Sequence, residues 1–116
     1  MDHGTFVMAL FAARTSAHAA HLMTSSYAEH VALDGFYKDI VELADRYAEA
    51  SIGLAGPLKF SETQPALELR PLTMLKNLRS VVAVARNSCK DEARLNILAE
   101  IDELTYSTAY KIGRLS

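Results

Sequence analysis

The sequence predicts an all-α domain of four helices, and three observations carry that prediction. Apolar residues recur at the 3.6-residue period of a helix, helix-start and helix-stop residues flank four such stretches, and no alternating Val/Ile/Thr run lies between turn signals. The 116 residues suffice for one domain, 1–116, with a single core. Half of them are apolar and 22% are charged, a balance that excludes a disordered chain.

The first helix is expected from Thr5 to about His21, with Phe6, Leu10, Ala13, Ala17 and Ala20 or His21 marking one face and many Ala residues allowing close packing. Ser26 and Glu29 form an S-x-x-E capping box, so the second helix begins at Tyr27. Its apolar positions, from Val31 through Phe36, Ile40 and Ala44 to Ala48, cover more than half of the helix surface. A helix of that kind is buried on two sides, as a bundle member that also makes a dimer contact would be. Gly53 and Gly56-Pro57 are expected to end it.

Residues 54–70, with Pro57 and Pro65, read as a long crossover with room for a short helix after Pro65. Pro71 suits the first position of a third helix, whose stripe is Leu72, Leu75, Leu78, Val82 and Ala85; Asn87 to Lys90 breaks it. The fourth helix starts near Asp91, where Asp91 and Glu92 meet the positive end of the dipole. It continues through Leu95, Leu98, Ile101, Leu104, Thr105, Ala109 and Ile112 to Lys111 and Arg114 at the opposite end.

Five residues carry the chemistry: His18, His30, Asp34, Asp45 and Glu49. His30 with Asp34, and Asp45 with Glu49, are i, i+4 pairs that project from one helix face and can converge on a cation. Asp34 and Asp45, however, lie roughly 16 Å apart along a helix rising about 1.5 Å per residue, far beyond the reach of one ion. A second copy packed antiparallel across a two-fold axis near Asp39 to Ile40 resolves the conflict, because Asp45 and Glu49 of one chain then face His30 and Asp34 of the other. His18 joins if a hairpin near Met23 to Ser26 brings it level with His30. His3 and His21 are expected to be ordinary satisfied residues. The mixed nitrogen and oxygen donors exclude a thiolate zinc site, while zinc, manganese, cobalt and iron would all bind such a set.

The order His, eleven residues, His, three residues, Asp, ten residues, Asp, three residues, Glu resembles the ferroxidase pattern of Dps, the DNA-binding ferritin-like protein of starved cells. Leu33-Asp34-Gly35-Phe36 and Asp45-Arg46-Tyr47-Ala48-Glu49 also look like that family's second helix, and the resemblance covers residues 10–56. It implies a ferritin-like four-helix bundle with a crossover between the second and third helices. It also implies inter-subunit sites where Fe(II) is oxidised by peroxide or oxygen, and iron storage in a twelve-subunit shell. His18, His30 and Asp34 would hold one side of each site, and Asp45 and Glu49 of the mate the other. Ala19 and Met23 stand where the family commonly has Trp and Gly. Those changes and the chain's shortness support an alternative, a Dps-derived helical interaction or scaffold module without iron chemistry.

Other classes find no foothold. G-x-G-x-x-G, P-loop, H-E-x-x-H and G-x-S-x-G motifs are all missing, as is the E-x-x-H pair of other di-iron bundles. A formal charge of −2 without a basic tail gives no reason to expect more than weak DNA binding. Cys89 is the single cysteine and reads as a small filler near a helix boundary, which suits a reducing cytoplasm. Phe6 to Ala13 follows Asp2 and His3 instead of basic residues, unlike a signal peptide, and no stretch approaches a membrane span.

Overall fold

The helix starts follow from local hydrogen bonding. Asp2 Oδ1 accepts the Thr5 N–H at 2.7 Å, Ser26 Oγ accepts that of Glu29 at 3.2 Å, and Asp91 Oδ2 that of Arg94 at 2.9 Å, each satisfying a first-turn donor that the helix leaves unpaired. Pro71 needs no such partner because it has no N–H. In the computed structural model, which describes residues 2–115, these starts open α1 (His3–Met23), α2 (Tyr27–Ala55), α3 (Pro71–Ser88) and α4 (Glu92–Leu115).

Three local expectations need correction. The capping box is half formed, since the Ser26 N–H donates to Thr24 Oγ1 at 3.2 Å and not to Glu29. Helix α2 runs through Gly53 and stops at Gly56, whose φ of 91° lies in the region that disfavours side chains. Residues 56–70 contain no short helix after Pro65.

Helix α1 packs against α2 and α3, and α4 packs against the same two, so α2 and α3 sit diagonally across the core. The segment 56–70 joins that diagonal pair. It lies against α1 at both of its ends, the Lys59 carbonyl over Gly4 and the Glu68 N–H donating to Ser16 Oγ at 3.1 Å. Gly4 and Ser16 are roughly 18 Å apart along the helix, so the segment travels most of the length of α1 before α3 begins.

The core between the four helices is built on Phe6, Leu10, Leu33, Phe36, Ile40, Leu75, Leu98 and Ile101, all fully buried. The first-helix face expected from the sequence is buried throughout. In α3 the stripe shifts slightly: Met74 is buried and Leu72 is half exposed. The broad apolar surface of α2 has an intrachain explanation, because α2 is covered by α1 on one side and α4 on the other. No helix among the described residues is long and apolar enough to cross a membrane.

Candidate functional site

The turn between α1 and α2 is only three residues long, and its brevity decides which side chains meet. Residues equidistant from the turn face each other, which pairs His21 with His30, not His18 with His30. The two imidazoles stack with centroids 3.7 Å apart and planes 18° from parallel. Each ring bonds the other residue's backbone: His21 Nδ1 donates to the His30 carbonyl at 2.7 Å, and His30 Nδ1 to the His21 carbonyl at 2.8 Å. A carbonyl can only accept, so both Nδ1 atoms carry hydrogen.

His18 lies one turn deeper, its ring stacked on Tyr37 at 4.2 Å with planes 13° apart. Tyr37 in turn donates its hydroxyl to Asp34 Oδ1 at 3.0 Å, and Lys38 Nζ reaches Asp34 Oδ2 at 3.0 Å. These two donors, Lys38 foremost, hold the Asp34 carboxyl below its ordinary range. The expectation that His18 sits level with His30 is therefore corrected: His18 is linked to Asp34 through Tyr37, whereas His30 packs on His21, and all three are half-buried.

Asp45 and Glu49 are exposed farther along α2, as the helical rise requires. Among the described residues, no group of three or more His, Cys, Asp or Glu side chains could hold a metal ion. The stacked pair cannot chelate one ion either. Nitrogen lone pairs lie in the ring plane, and two nearly parallel planes 3.7 Å apart do not bring them together at the roughly 2.0–2.1 Å of a metal–imidazole bond. The five residues fit a metal only if Asp45 and Glu49 come from a second chain, and each of the two i, i+4 pairs is on the continuous α2 helix as that arrangement needs.

His21 is 8% exposed and satisfied, as expected for a core histidine, but its role as partner of His30 escaped the sequence reading. The tight turn was the signal available. A second polar cluster had no sequence signal at all. At the opposite end of α1, His3 Nδ1 lies 2.9 Å from the Tyr47 hydroxyl and Nε2 lies 2.7 Å from Arg94 Nη1, while Arg94 Nη2 pairs with Asp91 Oδ1 at 2.7 Å. Guanidinium only donates, so His3 Nε2 accepts and the imidazole is neutral. Burial, then Arg94, pushes the His3 pKa down, and Arg94 holds Asp91 at about 2. Cys89 caps the end of α3 beside this cluster, its thiol donating to Asp91 Oδ1 at 3.5 Å.

The fold and the hairpin thus define an all-helical, four-helix protein with paired histidines across its first turn. The chain belongs to a family of unknown function, DUF5856, whose model matches residues 21–112 and so takes in His30, Asp34, Asp45 and Glu49. It is also similar to an uncharacterised 14.6 kDa protein in the mobD–ri intergenic region of Enterobacteria phage T4. The two are 30% identical over 107 residues, which span 90% of this chain and 82% of the phage protein. No solved structure matches.

Proposed function

We propose that the protein binds and oxidises iron in the manner of Dps, at sites completed between two chains, with iron storage as the outcome. The layout of α2 is the observation that supports this reading best. One unbroken helix carries His30 and Asp34 toward one end and, beyond the reach of the same ion, the exposed pair Asp45 and Glu49. Antiparallel pairing of two such helices about Asp39 to Ile40 brings the complementary halves together twice. Fe(II) is the substrate. His18, His30 and Asp34 of one protomer bind it beside Asp45 and Glu49 of the other, and the carboxylates favour the ferric product because their negative charge offsets its higher charge. Zinc or manganese would occupy the same donors as substitutes.

Complementation tests the reading. Asp45→Asn/Glu49→Gln chains and His30→Ala/Asp34→Asn chains should each oxidise Fe(II) with peroxide slowly, measured by growth of ferric absorbance. Their mixture should recover activity, because one of the two sites in a mixed dimer regains every ligand. A mixture no faster than its components, with subunit exchange verified by mass spectrometry, would sink the shared site.

A second reading is favoured by the ring stacks and the Lys38–Asp34 pair, which give His18, His30 and Asp34 partners inside one protomer. On that reading the protein is a helical interaction or scaffold module. Assembly by light scattering without peroxide-dependent iron oxidation would select it.

A further inference from the structure

We propose that His3 is a pH-operated latch: near neutral pH it ties the first turn of α1 to α2 and α4, and on protonation it releases that turn together with the start of the segment 56–70 that rests on it. His3 reaches two other helices at once. Its Nδ1 lies 2.9 Å from the hydroxyl of Tyr47 on α2, and its Nε2 lies 2.7 Å from Nη1 of Arg94 on α4. The guanidinium has no lone pair to offer, so this contact exists only while Nε2 is bare and the ring hydrogen sits on Nδ1, donated to Tyr47. A proton added at Nε2 sets two donors and two positive charges face to face. The contact must then open.

The neighbouring carboxylates do not rescue the contact. Asp91 and Asp2 both favour a charged His3, but burial and Arg94 outweigh them. Asp91 is already committed, since its Oδ1 accepts from Arg94 Nε at 2.8 Å and from the Cys89 thiol at 3.5 Å, and its Oδ2 accepts the Arg94 N–H at 2.9 Å. Asp2 is exposed and draws an imidazolium outward. Tyr47 from α2, Cys89 from the end of α3 and Lys59 from the segment complete the titrating groups around His3, and none of these is a carboxylate.

The release has a defined extent. Phe6 is buried with its ring edge-on to Tyr47, centroids 4.8 Å apart, and fixes α1 from that point on. The turn before it is kept by Asp2, whose carbonyl accepts the Phe6 N–H at 3.1 Å and whose Oδ1 accepts that of Thr5 at 2.7 Å. Gly4 lies in this turn under the Lys59 carbonyl, so the segment loses its footing there while the Glu68 bond to Ser16 keeps the other end. The cleft of about 90 Å³ that His3, Tyr47, Cys89 and Arg94 line then opens.

Amide hydrogen exchange of the full chain, followed by NMR, reads the latch, because a protection factor is corrected for the intrinsic pH dependence of exchange and reports the opening constant. If the open form alone takes up the proton, at the ordinary 6.5, that constant rises about 30-fold between about pH 7.5 and about pH 5. Protection of the Phe6 amide should therefore fall in the wild type by at least about 3-fold and at most about 30-fold, while that of Leu10, one turn deeper, stays within about 2-fold. His3→Gln has no titrating ring, so its Phe6 protection should be the same at both pH values. His3→Phe keeps a ring without an acceptor and should leave Phe6 weakly protected at both. Four results would overturn the proposal: unchanged Phe6 protection in the wild type, an equal fall in His3→Gln, a fall shared by Leu10, which would mean loosening of the whole helix, or a His3→Phe chain as well protected at pH 7.5 as the wild type.

Discussion

Gly4→Ala should destabilise the protein even though alanine is the better helix former, because the segment 56–70 lies directly on that turn of α1. A Cβ built on Gly4 falls inside the van der Waals envelope of the Lys59 carbonyl oxygen and 2.9 Å from its carbon. Ordinary contact begins at 3.4 Å, so the carbon must retreat by about 0.5 Å (3.4 − 2.9) and the oxygen farther. The obstacle is backbone, which cannot swing away as a flexible side chain would. Overpacking of this kind costs about 1–3 kcal/mol, and the gain in helix propensity offsets at most about 1 kcal/mol near a helix end. The net loss of about 1–2 kcal/mol corresponds to a fall in Tm of about 4–8 °C for a domain of this size. Gly53 is also helical but has nothing within 4 Å, so Gly53→Ala should show the propensity gain alone, a rise of about 2–4 °C. Thermal unfolding followed by circular dichroism reads both. If Gly4→Ala melts at or above the wild-type temperature while Gly53→Ala is stabilising, the segment does not run along α1 as described.

Two further outcomes concern titrating groups. The folded-state pKa of His3 is pushed below its ordinary 6.5, so as pH falls the unfolded chain takes up that proton first. The stability supplied by neutral His3 is fully present above 6.5 and is lost as pH falls below it. Urea midpoints compared between about pH 7.5 and about pH 5 should therefore drop more for the wild type than for His3→Gln, whereas Asp91, held at about 2, contributes its own loss only below 3.8. Equal drops would show that His3 is not held neutral by its burial and by Arg94. In the hairpin, Lys38→Met should raise the Asp34 pKa more than Tyr37→Phe does, followed by carboxyl NMR, because the ammonium is the stronger of its two donors; the reverse order would refute the contacts assigned to Asp34.

The sequence by itself determined what depends on neighbours along the chain. Ser26 sets the start of α2 through a bond to a residue three positions on, Pro71 opens α3 because it has no donor to satisfy, and the 3.6-residue recurrence of Phe6, Leu10, Ala13 and Ala17 names the buried face of α1. Even the failure of five ligands to meet in one chain was legible, since it follows from helical rise alone. Tertiary structure decided the rest. Much of the broad apolar girth of α2 packs against α1 and α4 of the same chain while Val31 stays exposed, and periodicity carries no information on which helix lies opposite. The ring pairing of His21 with His30 depends on where the turn places α2 against α1, a shift of one turn from the register that would have matched His18 with His30. The contact of His3 with Arg94 joins residues 91 positions apart, the long Arg94 side chain reaching from the start of α4 to the start of α1. Such contacts are fixed by how four amphipathic helices bury their stripes together, a property of the packed assembly and of no single segment.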